Sequence, residues 1–283
     1  MNTMLASGYA ECARLTRAYG TTYYWGAVLL PRRQRHHVHA VYGLCRLADD
    51  IVDAPGATLG DTAATRERLD DFRRRFDEAL TGDVRPGDEV LAAVAHTVTT
   101  CGIAPDCFDR FFDAMAMDLD VTSYESFAEL CGYMEGSAAV IGEMMLPVLE
   151  PLSPRAVAPA RALGLAFQLT NFLRDVGEDL DRGRVYLPQA DLRTFGADPG
   201  RRTVDDAWRA LMRFEIARAR DLYREAETGI ALLPPASARC VATAQRLYSA
   251  ILGRIEARDY DVFTGRARVP LITKAATALR AGL

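Results

Sequence analysis

Apolar residues recur along most of the chain at intervals of three and four positions, which is the spacing of one face of an α-helix. This period predicts helices over residues 9–19, 32–53, 61–80, 88–100, 105–117, 124–149, 155–181, 203–233 and 237–263, followed by a last short helix. Breakers such as residues 54–56 and the Pro234-Pro235 pair separate neighbouring helices. No stretch alternates apolar and polar residues as a strand would, and no motif repeats at a fixed period. The pattern favours an all-α fold, with residues 1–283 forming a single domain.

One of these helices, over residues 155–181, combines apolar faces with a row of polar side chains. Asn171, Asp175 and Asp179 are spaced four residues apart, so they lie along one face of the helix. Burying carboxylates in a row costs free energy unless something cationic lies against them. The row therefore indicates a functional site.

A second polar row lies at the C-terminal end of the helix predicted over residues 32–53. Asp49 and Asp53 share a face, and Arg46 and Asp50 are likewise four residues apart, with Tyr42 one turn earlier. A single pair of this kind is usually a solvated helix face, but two pairs in apolar helices favour function. Such carboxylates offer oxygen ligands to Mg²⁺, which prefers oxygen and also binds substrate phosphates. Two facing rows would hold diphosphate groups between them.

Composition narrows the class of protein. The chain of 283 residues is 49% hydrophobic and carries a net charge of −4, which argues against a general nucleic-acid binder. Its six cysteines form no C-x-x-C pair and lie at no zinc-finger spacing. The sequence shows neither a secretion signal nor an apolar run long enough to span a membrane. We therefore expect a cytoplasmic protein with reduced thiols.

At these motifs the chain resembles the squalene/phytoene synthase family, and within it the bacterial phytoene synthases most. Residues 42–53 resemble the first aspartate-rich signature of the family. Residues 168–179, followed by the Arg-Gly-Arg-Val-Tyr-Leu-Pro run over 182–188, resemble the second almost throughout. Weaker similarity covers residues 133–142 and 248–266, so the resemblance extends over nearly the whole chain.

The resemblance implies a helical fold of the class I isoprenoid synthase type with a central apolar cavity. It also implies a head-to-head condensation of two prenyl diphosphates through a cyclopropylcarbinyl diphosphate, in carotenoid biosynthesis. Two geranylgeranyl diphosphates giving phytoene is the expected case; the alternative is farnesyl diphosphate giving squalene or dehydrosqualene. The expected cofactor is Mg²⁺, with Mn²⁺ as a substitute, and NADPH is needed only by a squalene synthase. The apolar product suggests peripheral association with the cytoplasmic membrane, and the sequence predicts no oligomeric state.

Site residues follow from the same resemblance, position by position. The metal ligands would be Asp49, Asp53, Asp175 and Asp179, with Asp50 and Asn171 assisting. Arg46, Gln168, Asn171 and Arg266 would contact substrate, while Tyr42, Tyr133 and Tyr248 would lie near the diphosphate or the carbocation. Independently of the resemblance, Arg182, Arg184 and Tyr186 directly follow the second motif and are candidates for a flap over the phosphates. Arg174 and Glu178 are four residues apart on a different face from the acidic row and are expected to be structural.

The sequence departs from the family pattern in two places. Residues 135–139 read Glu-Gly-Ser-Ala-Ala where many relatives carry an aromatic residue and Val-Ala-Gly, which leaves the substrate chain length open. Small residues there and at Gly142 either make room for a prenyl chain or allow close helix packing, and packing is slightly preferred. Gly265 replaces a basic residue, which weakens a phosphate role for the neighbouring Arg266.

Two rival functions remain at this stage. Asp49-Asp50-Ile51-Val52-Asp53 also satisfies the D-D-x-x-D motif of chain-elongating prenyltransferases and terpene cyclases. The continuous similarity over residues 168–188 to the squalene/phytoene synthases argues against both of these enzyme classes. A rival of another class is a non-catalytic assembly factor or lipid-binding scaffold, which would have no reason to retain both acidic rows.

Overall fold

The computed structural model describes residues 3–54, 57, 60 and 62–282, and its regular structure is helical. The α-helices are α1 (Thr3–Ala18), α2 (Thr21–Ala27), α3 (Arg32–Val52), α4 (Thr62–Leu80), α5 (Glu89–Cys101), α6 (Asp106–Met117), α7 (Phe127–Met134), α8 (Val140–Leu149), α9 (Val157–Asp181), α10 (Gln189–Phe195), α11 (Asp206–Glu227), α12 (Pro235–Ala257) and α13 (Leu271–Gly282). A π-helical segment, Glu135–Ala139, joins α7 to α8. The prediction of an all-α fold is confirmed.

Most predicted helices are present, with differences where the sequence pattern is weak. The short helices α2 and α10 lie in segments for which no helix was predicted. The region predicted as one helix over 203–233 ends at Glu227 and is followed by the 3₁₀ turn Ile230–Leu232. The predicted start at Asp61 and the breaker residues Pro55 and Gly56 lie outside the described residues.

Local capping explains several helix ends. Ser126 accepts a hydrogen bond from the backbone N–H of Glu129 at the start of α7, and Asp205 accepts one from Trp208 at the start of α11. At the end of α5, Gly102 adopts the left-handed conformation with φ of 68°, which a residue with a Cβ adopts only at a cost.

Helix α9 lies at the centre of the fold. It packs against α8 and the π-helical segment on one side and against α11 and α12 on others. Its side chains therefore enter different parts of the core: Leu169 and Leu173 pack with residues of α11 and α12, whereas Phe172 packs with Tyr133 and Tyr186. A helix buried on several sides positions its remaining polar residues firmly.

The π-helical segment lies where neighbouring backbones approach very closely. A Cβ atom on Gly136 would lie 2.3 Å from the carbonyl oxygen of Arg110, and one on Gly142 would lie 2.2 Å from that of Ala160. Close packing therefore explains why neither glycine has a side chain, and Gly142 and Ala138 also line the large internal pocket. Among the described residues, no helix has the length and apolar character needed to cross a bilayer.

Candidate active site

A pocket of about 1150 Å³ runs through the bundle between α3 and α9. Along α3 its lining changes from Val38 to Asp49 and Asp53, and along α9 it changes from Leu163 to Asp175 and Asp179. At 1.5 Å per residue, the stretch of α3 from Val38 to Asp53 corresponds to roughly 22 Å. The pocket thus has a long apolar part and an acidic end, and its volume exceeds the ~300–1,000 Å³ of ordinary small-molecule sites.

The first acidic row lies at the end of α3. Asp49, Asp50 and Asp53 line the pocket, and Arg46 forms an ion pair with Asp50 and stacks over the Tyr19 ring at 4.2 Å. Burial and the neighbouring Asp53 carboxylate raise the pKa of Asp49 to about 7. Carboxylates at the C-terminal end of a helix also face the negative end of its dipole. This row is therefore unfavourable by itself and calls for a cation.

The second acidic row lies in the last turns of α9, again at the negative end of a helix. Asp175 and Asp179 are both buried, and burial raises the pKa of Asp179 well above its usual range, with Asp175 and Asp53 adding to the effect. Arg174 donates two hydrogen bonds to Asp175, at 2.7 and 2.6 Å. Arg174 and Glu178 both line the pocket as well.

Two arginines after α9 bring the acidic rows together. The Nη1 atom of Arg182 lies 3.7 Å from Asp53 and 3.8 Å from Asp179. Arg184 is only 3% exposed and donates a hydrogen bond of 2.9 Å to Asp53. Tyr186 is buried as well. Arg184 and Tyr186 are thus fixed inside the protein, and the predicted flap over the phosphates is wrong for these two residues.

Asp118, at the end of α6, organises a buried polar network that the sequence did not reveal. Its two carboxylate oxygens accept hydrogen bonds from Tyr133 at 2.8 Å and from Tyr186 at 3.0 Å. Burial raises the pKa of Asp118 to about 6, and the Arg184 guanidinium opposes that rise. The rings of Tyr186 and Phe172 stack with centroids 4.0 Å apart. Tyr133 is consequently held on the pocket wall in one orientation.

A second aromatic group also lines the pocket. Tyr23 lies between Tyr42 and Tyr248, with ring centroids 5.8 and 5.3 Å away, and Phe167 lies 4.5 Å from Tyr248. All four rings line the pocket. Gly20 makes this possible, because a Cβ atom there would lie 2.6 Å from the Tyr42 ring. Tyr23 was not predicted, since no spacing rule links it to the motifs.

The remaining predicted substrate contacts also line the pocket. Asn171 accepts a hydrogen bond of 2.9 Å from the Tyr248 hydroxyl and donates one of 3.4 Å to Gln168. Arg266 forms ion pairs with Asp175 at 3.0 Å and with Glu178 at 2.7 Å. Arg266 therefore lies beside the second acidic row, whatever group it contacts during turnover.

One further cation faces the pocket from α13. Lys274, the single lysine of the chain, lines the pocket and donates a hydrogen bond to the Thr21 hydroxyl. Burial lowers its pKa, and the nearby Arg174 and Arg268 contribute to the decrease. Only residues 42–53 and 168–188 carried a recognisable motif, so no sequence signal distinguished Lys274.

The donor set at the acidic end suits a hard divalent cation. Four aspartates from two helices line the same end of the pocket, and burial together with the neighbouring carboxylates raises the pKa of Asp49 and of Asp179. Within the described residues, no three His, Cys, Asp or Glu side chains form a ready metal cluster. Mg²⁺ is usually held by one or two carboxylates together with water and substrate phosphates, so such a cluster is not required.

These features define a helical enzyme of the class that handles diphosphate esters of long apolar chains. The family model for squalene/phytoene synthase matches residues 16–273. The chain belongs to the squalene/phytoene synthase family, whose members are prenyltransferases. The resemblance drawn from the two motifs is thereby confirmed, and so is the expectation of an enzyme.

Individual relatives extend the similarity over most of the chain. The phytoene synthase of Arthrospira platensis is 40% identical, with 94% of this chain and 89% of the relative covered. The 15-cis-phytoene synthase of Synechococcus elongatus is 37% identical, with the same shares covered. Among solved structures, a dehydrosqualene synthase bound to a ligand has a TM-score of 0.87 at 27% identity, covering 98% of this chain and 96% of that one.

Proposed function

We propose that the protein condenses two molecules of geranylgeranyl diphosphate head to head and forms phytoene for carotenoid biosynthesis. The observation that carries this proposal is the pair of acidic rows facing each other at one end of a long apolar pocket. Relatives at 37 to 40% identity that carry the name phytoene synthase support the C20 substrate. Squalene or dehydrosqualene formation from farnesyl diphosphate is the second candidate, favoured by the structural likeness to a dehydrosqualene synthase.

Asp49, Asp53, Asp175 and Asp179 would hold Mg²⁺, or Mn²⁺ in its place, with Asp50 and Asn171 assisting. When bound, the metal would neutralise the charge that develops on a leaving diphosphate. Arg46 would bind diphosphate oxygens through its guanidinium, and Arg266 would do so beside Asp175. Because several of these aspartates are now paired with arginines, substrate binding would exchange those partners for metal and phosphate.

The apolar part of the pocket would bind the two prenyl chains and exclude water while carbocations exist. The double bond of one substrate would attack the allylic cation left by the other, and loss of a proton would close the cyclopropane ring and give a cyclopropylcarbinyl diphosphate. This intermediate would ionise in turn, rearrange and lose a second proton. Tyr42, Tyr133 and Tyr248 would stabilise the cations through their ring faces at about 0.5–2 kcal/mol each. Gln168 would line the reaction centre beside Asn171.

Three further elements belong to the proposal. The chain would act as one domain over residues 1–283, since helices as far apart in the sequence as α1 and α13 both line the pocket. NADPH would be required only for squalene formation. The protein would work in the cytoplasm, where free thiols such as those of its six cysteines persist.

Product analysis tests the proposal. Purified protein with Mg²⁺ and geranylgeranyl diphosphate should give a C40 hydrocarbon by chromatography and mass spectrometry, with or without NADPH. A longer diphosphate or a cyclic hydrocarbon from one substrate molecule would overturn the head-to-head reaction. A product formed only from farnesyl diphosphate would favour the second candidate.

Aspartate variants test the site. Asp49→Asn and Asp175→Asn should abolish turnover while the helical melting curve stays nearly unchanged. Asp181→Asn is the matched control for Asp175→Asn. Asp181 is the last residue of α9, the helix that carries Asp175, but it pairs with Arg202 and does not line the pocket. Full activity in both site variants would remove the metal assignment.

A further inference from the structure

Helix α13 carries an unusually exposed aliphatic face. Ile272 is 80% exposed and Leu279 is 69% exposed, and their seven-residue spacing places them on the same side of the helix. Leu271, the first residue of the helix, is also exposed, whereas Ala278 is buried against the protein. The helix is thus attached by one face and presents large apolar side chains on the other.

The charged residues of this segment of the chain all have the same sign. From Gly265 onward the sequence contains Arg266, Arg268, Lys274 and Arg280 and no Asp or Glu. The Arg280 and Arg268 side chains are exposed. An amphipathic helix with aliphatic side chains between basic residues is typical of segments that lie in the interface of an anionic bilayer.

The basic apolar surface continues beyond α13. Lys274 is hydrogen-bonded to Thr21 at the start of α2, and a Cβ atom on Gly282 would lie 3.5 Å from the Leu29 side chain. The helix therefore extends alongside α2 as far as the turn before α3. That turn exposes Val28 and Arg32, so it adds an apolar and a basic side chain to the same surface.

This surface adjoins the lining of the pocket. Leu271 and Lys274 belong both to α13 and to the pocket lining, together with Arg268 and Val269 just before the helix. A helix that lies in the bilayer interface at this place would bring the pocket to the lipid. Long apolar substrates and products would then pass between the membrane and the pocket without entering water. This matters because the exposure of apolar surface to water costs free energy.

We propose that α13, together with the turn at Val28 and Arg32, docks the enzyme on the surface of an anionic lipid bilayer. The role in lipid transfer rests on the proposed function, whereas the docking does not require any substrate. Charge complementarity selects the bilayer over a second copy of the chain, because two copies would place like charges against each other.

Vesicle co-sedimentation of the full chain tests the docking. The protein should bind vesicles of phosphatidylcholine with one-third phosphatidylglycerol, bind pure phosphatidylcholine weakly, and dissociate as salt screens the charges. The affinity of the double variant Ile272→Ser with Leu279→Ser for the anionic vesicles should be at least about tenfold lower. The reason is that each of the two substitutions removes an aliphatic side chain that would be buried in the bilayer. Arg280→Gln with Arg32→Gln should weaken binding to the anionic vesicles and remove most of its salt dependence.

Leu152→Ser is the matched control, because Leu152 is 68% exposed but lies in the turn before α9. It should bind vesicles like the unmodified protein, and circular dichroism melts should agree for all variants. Equal binding by the Ile272/Leu279 variant, or an equal loss in Leu152→Ser, would overturn the proposal. A change in sedimentation-velocity mass instead of vesicle binding would assign the face to self-association and overturn it too.

Activity in detergent micelles separates this proposal from the proposed function. Formation of the C40 product in micelles without binding to vesicles would disprove only the docking. A protein that binds vesicles through α13 but makes no such product disproves only the function.

Discussion

Arg184 and Asp53 are joined by a hydrogen bond of 2.9 Å although 131 residues separate them in the chain. The second terminal nitrogen of Arg184 donates to the carbonyl oxygens of Val52 and Asp118, each at 3.2 Å. One buried guanidinium therefore connects the end of α3, the end of α6 and the loop after α9. The first two of these places supply Asp53 and Asp118, which both line the pocket.

Removing this guanidinium should destabilise the fold as well as the site. Arg184→Met leaves Asp53 and Asp118 without their shared cation, and we expect a loss on the order of 2 kcal/mol in the free energy of unfolding. Urea denaturation measures the change. Arg193→Met is the control, because Arg193 pairs with Glu125 on the surface, where ion pairs contribute ~0–1 kcal/mol. Equal losses in the two variants would contradict a special role for Arg184.

Asp118 should act on turnover by positioning Tyr133. In Asp118→Asn one of the two accepting oxygens becomes an amide group, so Tyr133 or Tyr186 loses its partner. Small displacements at a reaction centre cost up to about 100-fold in rate, and we expect kcat to fall more than tenfold while KM changes little. Steady-state kinetics with the C20 substrate measures both constants.

The neighbouring Asp120 provides the comparison. Asp120 pairs with Arg66 at the surface and should tolerate replacement by asparagine. A rise in KM without a fall in kcat for Asp118→Asn would show that Asp118 contributes to binding instead of positioning.

The close approach of α8 and α9 makes Gly142 sensitive to a single methyl group. Gly142→Ala would place its Cβ 2.2 Å from the Ala160 carbonyl oxygen, and the helices would have to separate, at about 1–3 kcal/mol. Gly253→Ala on α12 meets nothing within 4 Å and should instead gain about 0.5–1 kcal/mol of helix propensity. Thermal melts that move in opposite directions would confirm the packing role.

Stability should decrease below neutral pH because of His39. Burial lowers the pKa of His39 to about 4 from a usual value of 6.5, and its ring stacks on Tyr24 at 5.9 Å. Between these two values the unfolded chain binds more protons than the folded protein, so the free energy of unfolding falls as the pH falls from 6.5 to 4. His39 alone contributes at most about 1.4 kcal/mol per pH unit.

Urea titrations at several pH values test this contribution. His39→Gln should have a shallower pH dependence than the unmodified protein across the same window. An unchanged slope would show that His39 stays neutral in both states or that other groups dominate.

The sequence by itself determined the features that depend on short separations along the chain. Helical period follows from neighbouring residues, and the four-residue spacing of Asp49 with Asp53 and of Asp175 with Asp179 guarantees a common face. The all-α fold and the two acidic rows could therefore be predicted, and the family motifs added their expected partners. Asn171 followed from the same local spacing, whereas Gln168 was expected only from the family resemblance.

Only the tertiary structure decided which side chains meet across long separations. Arg184 was expected in a flap over the phosphates, yet packing buries it against Asp53. Asp118 and Tyr23 carried no sequence signal. Such contacts depend on how α3, α6 and α9 pack together, and helix packing is set by many small contributions distributed along each face. The acidic rows could be predicted from the sequence because an α-helix repeats every 3.6 residues. The arginines and tyrosines that contact these rows could be identified only from the packing of the helices.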